Sequence, residues 1–117
     1  MKSLIGAGVA TLLLVSPALA VAEGPVKDVD VKIATLSDVE KACVDQLKYN
    51  WAQPGSYDET FKTMVLETVV HRKDGQANVI AFEGHAYNSF MQTDRSVIVT
   101  CRPGDKKPYP VTFQIDR

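Results

Sequence analysis

The stretch LSDVEKACVDQLKYNW, residues 36–51, decides the fold because it is the one convincing amphipathic helix in the sequence. Apolar side chains recur there at every fourth position, whereas charged residues occupy much of the remaining surface. This spacing is typical of a helix with a single apolar stripe, formed by Val39, Cys43, Leu47 and Trp51. Because an isolated helix of this length is only marginally stable in water, the stripe must pack against another part of the chain.

The two ends of this helix carry their own signals. Ser37 and Glu40 have the spacing of a capping box, in which each side chain bonds to the other residue's backbone N–H. Thr35 is an alternative N-cap. Pro54 and Gly55 disfavour helical backbone, so we expect the helix to end between residues 50 and 53.

The amino terminus has the layout of a secretory signal peptide. Lys2 precedes an apolar run over residues 4–15, and small residues follow at positions 18–20. The run is shorter than the roughly 20 apolar residues that a membrane span needs. We therefore predict a signal peptide over residues 1–20, cleaved after Ala20 or, as a second choice, after Ala22, and export to the periplasm or the extracellular space.

The exported chain has the size and composition of one ordinary domain. Removal of residues 1–20 leaves 97 residues and changes the formal net charge from −1 to −2. No large field of either sign is present to attract nucleic acid, and no second hydrophobic span follows. Residues 21–34 are predicted to form an arm or a short strand, because Val29, Val31 and Ile33 alternate with charged residues, and residues 35–117 form a single domain.

The two cysteines, Cys43 and Cys101, both belong to the exported part of the chain. An oxidising compartment favours their pairing, and neither has further Cys or His ligands at the short spacing of a metal site. We predict a disulfide that joins the helix to a distant strand. Since 58 positions separate the cysteines, the chain-entropy model gives about 4 kcal/mol of stabilisation.

The sequence after the helix is rich in strand-forming residues. Two apolar runs, over residues 61–72 and 78–87, flank Asp74 and Gly75, which is a strong hairpin signal. A turn centred on these two residues places Val70 opposite Val79, Val69 opposite Ile80, Glu67 opposite Phe82 and Met64 opposite His85. One face of the hairpin then gathers Phe61, Val65, Val69, Ile80 and Phe82, with Glu67 as its odd member, and the other carries Met64, Leu66, Val70 and Val79.

Two further strands follow in the pattern. Residues 96–102 place Val97, Val99 and Cys101 on one side, and residues 111–115 alternate regularly between apolar and polar side chains. The predicted fold class is therefore α+β: one N-terminal helix packed on a curved antiparallel meander sheet of about four strands, with a possible extra N-terminal strand.

This order of elements resembles that of the cystatin-type roll over nearly the whole exported chain. Residues 73–77 of the hairpin turn read KDGQA where that family has Q-x-V-x-G, and residues 108–110 read PYP in place of a Pro-Trp pair. The resemblance implies a curved sheet around one helix, with cysteine-protease inhibition as a possible function.

The residue pattern does not favour catalysis or a cofactor. Both cysteines are expected to be oxidised, the serines form no G-x-S-x-G motif, and only His71 and His85 offer bases near neutral pH. Glu83 and His85 share a strand face, and Met64, predicted opposite His85, would complete a weak copper site. A solvated sheet face is the simpler interpretation of these residues, and we predict no metal, no cofactor and no enzymatic activity.

Aromatic and basic residues on loops are the candidates for a binding surface. The hairpin tip and the loop over residues 103–110 are expected to lie at one edge and to form a recognition rim. Trp51 is either a core residue, which is the favoured interpretation, or an interface anchor. The candidate residues are Trp51, Tyr57, Phe90, Met91, Tyr109, Lys73, Lys106 and Lys107.

These observations favour a small exported binding or accessory domain that acts on an envelope or secreted protein. The alternatives are a protease or hydrolase inhibitor, and a small enzyme or metal-handling protein centred on His85 and Glu83. The oligomeric state is left open by the sequence.

Overall fold

The structure is a computed structural model, and it describes residues 27–55 and 57–116. The predicted signal peptide and its cleavage sites lie outside the described residues. Within them, the elements follow the order β1 (Asp28–Val31), α1 (Asp38–Ala52), β2 (Phe61–Asp74), β3 (Ala77–Asn88), β4 (Thr93–Cys101) and β5 (Val111–Ile115). No helix in this part of the chain is long and apolar enough to cross a membrane.

The strands form one five-stranded mixed sheet in the order β1-β2-β3-β4-β5, and α1 packs on one of its faces. Strands β2 to β5 are an antiparallel meander, as expected, whereas β1 pairs in parallel with β2. The possible N-terminal strand within residues 21–34 is thus present as β1, but it pairs in parallel, so the sheet is mixed and five-stranded rather than antiparallel with about four strands. Two parallel neighbours need a crossover connection, and α1 supplies it between β1 and β2.

Both ends of α1 lie where the sequence signals place them. Ser37 is the N-cap: its hydroxyl accepts from the Glu40 N–H at 3.2 Å, and its own N–H donates to the Glu40 carboxylate at 2.8 Å. This completes the capping box and excludes Thr35 as the cap. The helix ends at Ala52, and Gln53 closes it by donating its N–H to the carbonyl of Asn50.

The core lies between the helix stripe and the sheet. Cys43, Leu47 and Trp51 have no exposed surface, and the side chains they meet include those of Phe82 and Val99, which are also fully buried. The predicted disulfide is confirmed: Cys43 on α1 is bonded to Cys101 at the end of β4, with a Cα–Cα distance of 6.0 Å. The helix is therefore joined to the sheet both by apolar contacts and by a covalent bond.

The hairpin between β2 and β3 forms, but its register differs from the predicted one by two positions next to the turn and by one position beyond Glu67. Asp74 pairs with Ala77, so the central turn residues are Gly75 and Gln76, and Val70 lies opposite Ala81. Of the two, only Gly75 has a positive φ, 64°, as in a type II′ turn rather than the expected type I′ turn. As a result Val69 faces Phe82, and Met64 faces Ala86 instead of His85.

The predicted division of the β2 side chains between the two faces is also wrong. Met64 and Leu66 are fully buried on the helix side, whereas Val65 is only half-buried and Glu67 is exposed. The cause is two irregularities in the register, one between Phe61 and Thr63 and one between Leu66 and Thr68. Each extra residue reverses the alternation, so the unpaired Glu67 leaves the apolar face.

Candidate functional site

The turn between β3 and β4 presents two large apolar side chains to solvent. Phe90 is 82% exposed and Met91 is 57% exposed. They are adjacent in the chain, and we call residues 89–92 with these two side chains the Phe90–Met91 turn. Two adjacent apolar side chains exposed on a loop are a candidate contact surface.

Hydrogen bonds hold the backbone of the Phe90–Met91 turn in place. The side-chain oxygen of the buried Asn88 accepts from the N–H groups of Phe90, at 3.0 Å, and Met91, at 2.8 Å. The amide nitrogen of Asn88 donates to the Thr60 hydroxyl at 2.9 Å, and Gln92, with φ 57°, donates its N–H to the Asn88 carbonyl. The two apolar side chains therefore project from a fixed backbone.

Charged groups surround the Met91 side of this turn. A shallow pocket of about 210 Å³ separates the turn from the start of β2 and the end of β5. Its lining combines two carboxylates with one guanidinium and is formed by Asp58, Phe61, Asn88, Met91, Arg95 and Asp116. The local charge beside Met91 is thus on balance negative.

A larger groove lies at the opposite end of the sheet. It runs between the first turn of α1, the β2–β3 hairpin and the loop after β4, and has a volume of about 520 Å³. We call it the hairpin-end groove; its apolar lining comes mainly from Val39, Ile80, Pro103 and Tyr109. The hairpin and the 103–110 loop, expected to share an edge, do meet here, and an ion pair of 2.6 Å between Asp74 and Arg102 joins the tip of the hairpin to the start of the loop.

A carboxylate–imidazole pair lies between α1 and β2 at the wall of this groove. Glu40, whose side chain is 11% exposed, contacts the Nε2 atom of His71 at 2.5 Å. The hydrogen bond from the Ser37 backbone, followed by that from His71, lowers the pKa of Glu40 below its ordinary value of 4.5. The groove lining includes His71 but no Ser, Thr or Cys, and the pair joins α1 to β2.

The rim of the hairpin-end groove is basic. Lys73 lies opposite Asn78, which lines the groove, and Lys106 and Lys107 belong to the loop that forms its other wall. All three lysines are exposed, and Lys107 lies 6.0 Å from the centre of the Tyr109 ring. Asp105 is the acidic residue of the same loop, so positive charge predominates.

The structure divides the aromatic candidates between core and surface. Trp51 is fully buried and donates its indole N–H to the carbonyl of Lys62 at 3.1 Å, so it is a core residue and not an interface anchor. Tyr57 is half-buried against Trp51 and Phe61. Tyr109 is half-buried and lines the groove, which leaves Phe90 and Met91 as the exposed apolar candidates.

The weak metal candidates do not meet. Met64 is buried on the helix side of β2, whereas Glu83 and His85 point away from the helix and engage Arg72 at 3.1 Å and Asp94 at 3.3 Å. Among residues 27–55 and 57–116, no cluster of three or more His, Cys, Asp or Glu side chains has a geometry that would hold a metal ion.

Two features of the site were not expected from the sequence: the Glu40–His71 pair and the apolar lining of the groove. Both depend on which sheet face the helix covers, which the alternation pattern left unsettled. Comparisons with models of protein families, with curated proteins and with solved structures found no match. Function is therefore inferred from the geometry of the chain itself.

Proposed function

We propose that this protein is a small exported, non-catalytic domain that binds a partner protein through the Phe90–Met91 turn. The observation that supports it is the exposure of two large apolar side chains on a backbone held by Asn88. Burial of a Phe or Met side chain is worth about 1.5–3 kcal/mol, and a fixed backbone lowers the entropic cost of binding. An aromatic residue on such a turn has the properties of an interface hot spot.

The disulfide supports the proposed location. Cys43 and Cys101 are both fully buried and bonded to each other, which is compatible with an oxidising, exported compartment. The sequence layout of residues 1–20 points in the same direction. Envelope and secreted proteins are accordingly the proposed class of partner.

Affinity capture with matched variants tests the binding role of the turn. The oxidised protein is immobilised and exposed to envelope and culture-fluid extracts, beside a Phe90→Ala, Met91→Ala double variant. Tyr49→Ala is the control, because Tyr49 is 64% exposed on α1, away from the turn. We expect the double variant alone to lose its captured protein; equal capture by all three would refute the proposal.

One further observation favours an inhibitor as a second candidate. The β2–β3 hairpin and the 103–110 loop form a common edge, joined by Asp74 and Arg102, and the order of α1 and β2 to β5 resembles a cystatin-type roll. Titration of the protein against a panel of cysteine proteases tests this candidate. An unchanged rate of substrate hydrolysis at excess protein would count against it.

A further inference from the structure

We infer that the hairpin-end groove of one molecule receives the Phe90–Met91 turn of a second copy of this chain. This inference rests on the proposed function, because it names the partner of the same turn. The inference has three requirements. The turn and the groove must lie too far apart to meet within one molecule, both must be apolar at the centre, and their surrounding charges must be opposite in sign.

The meander places the two sites at opposite ends of the molecule. The groove includes Ala77 at the start of β3, and the Phe90–Met91 turn follows Asn88 at its end. The 12 residues of β3, at about 3.3 Å per residue, separate them by about 40 Å. The turn therefore cannot fill its own groove. A contact between copies is head-to-tail, and such contacts build an open chain of molecules unless the rotation from one copy to the next closes a ring.

The groove has the size and lining that the turn requires. It is an open depression with a volume of about 520 Å³, large enough to receive one aromatic side chain and its neighbour. The half-buried Val39 and Pro103 offer aliphatic surface above the buried Ile80, and the half-buried Tyr109 ring offers an edge or face to the ring of Phe90. Both partner surfaces are apolar at the centre and charged at the margin, which is the usual anatomy of a protein interface.

Charge complementarity selects this occupant. Asp58 and Asp116 flank Met91 in its shallow pocket, where Arg95 is the cation of the lining and Lys27 interacts with Asp58 from outside the pocket. The groove rim carries three exposed lysines against Asp105, so docking brings carboxylates of one copy toward lysines of the next; these lysines are Lys73, Lys106 and Lys107. Because these charges are exposed, salt weakens the association.

Two variants disrupt the two sides of the proposed contact one at a time, the turn in one variant and the groove in the other. Phe90→Asp removes the apolar anchor of the turn. Ala77→Glu places a carboxylate in the groove at an exposed strand position, where it meets the carboxylates of the incoming turn. The matched controls are Val70→Asp on β2 and Thr112→Glu on β5, both at exposed positions that line neither the Met91 pocket nor the groove.

Sedimentation velocity over a hundredfold range of protein concentration provides the test. The wild-type protein and both controls are expected to show species that grow with concentration and shrink with added salt. Each single site variant is expected to bind its own copies at least about tenfold more weakly, the loss typical of a hot-spot residue. Far-UV circular dichroism and the urea midpoint of each variant verify that the fold is retained.

An equimolar mixture of the two site variants gives the sharpest result. The Phe90→Asp chain keeps an intact groove and the Ala77→Glu chain keeps an intact turn, so their mixture should form dimers and nothing larger. A wild-type protein that stays monomeric throughout, or a mixture without dimers, would overturn the inference. Capture of another protein that depends on Phe90, together with a monomeric wild type, would retain the proposed function and reject self-docking.

Discussion

Removal of the disulfide should cost this chain a large share of its stability. The perturbation is the double variant Cys43→Ala, Cys101→Ala. Alanine is preferred to serine because both cysteines are fully buried, and a serine hydroxyl would lose its hydrogen bonds to water there. The bonded sulfur atoms join α1 to the end of β4, so their loss leaves the helix held by its apolar stripe and by its polar contacts with the sheet.

The magnitude follows from the length of the closed loop. For a sequence separation of 58 residues, the chain-entropy model gives about 4 kcal/mol. A small domain has a total free energy of unfolding of about 5–15 kcal/mol, so the variant retains between a fifth and three quarters of it. With a urea m-value of about 1–3 kcal/mol/M, the midpoint should fall by about 1.3–4 M.

Urea titration monitored by tryptophan fluorescence measures this shift. Trp51 is the only tryptophan in the sequence and is fully buried, so its emission reports unfolding. Reductant should shift the wild-type midpoint in the same direction and leave the double variant unchanged. A double variant whose midpoint and m-value equal those of the oxidised wild type would refute the reasoning.

Three further outcomes can be measured in the same way. Because hydrogen bonds depress the pKa of Glu40 below 4.5, its stabilisation is present above that pH and is lost as the pH falls through the lower folded-state value. The melting temperature of Glu40→Gln should therefore fall less between pH 7 and pH 3 than that of the wild type. An equal fall in the two proteins would contradict this prediction. Gly84→Ala would place a Cβ atom 1.8 Å from a backbone oxygen of the neighbouring strand and should cost more than about 3 kcal/mol, whereas Gly104→Ala, in open space, should stay within about 0.5 kcal/mol. Equal urea midpoints for the two glycine variants would contradict the expected difference in stability. Asn88→Ala removes the side-chain hydrogen bonds of the turn and should cost about 1–3 kcal/mol in the same titration. A midpoint equal to that of the wild type would contradict this prediction.

The features that local chemistry determines were predicted correctly. The capping box of Ser37 and Glu40 depends only on residues three apart, and it forms as expected. The disulfide depends on two cysteines and an oxidising environment, and its inward direction was visible in the alternation of Val97 and Val99 with polar residues. The capping box survives folding because the tertiary contact of Glu40 with His71 uses the other carboxylate oxygen, and the disulfide was predictable because only two cysteines were available to pair.

The features that depend on pairing between strands were not recoverable. A two-residue turn over Asp74 and Gly75 and one over Gly75 and Gln76 are both compatible with the sequence, because a glycine supplies the positive φ in either. Glu67 was visible as an odd member of an apolar face, but alternation alone does not separate a bulge from a surface charge. To predict the lining of the groove, one must know both the register of the strands and the sheet face that the helix covers. The sequence therefore indicated only the parts of the groove formed by the hairpin and the 103–110 loop.

The disulfide also has a consequence for the order of events after synthesis. Cys43 lies one helical turn beyond Val39, and Cys101 lies two residues before Pro103, so the bond joins the two walls of the hairpin-end groove. In a newly made chain with free thiols, these walls are held only by non-covalent contacts. Oxidation is therefore expected to fix the spacing of the two walls, so that the proposed head-to-tail association should be stronger among oxidised than among reduced molecules.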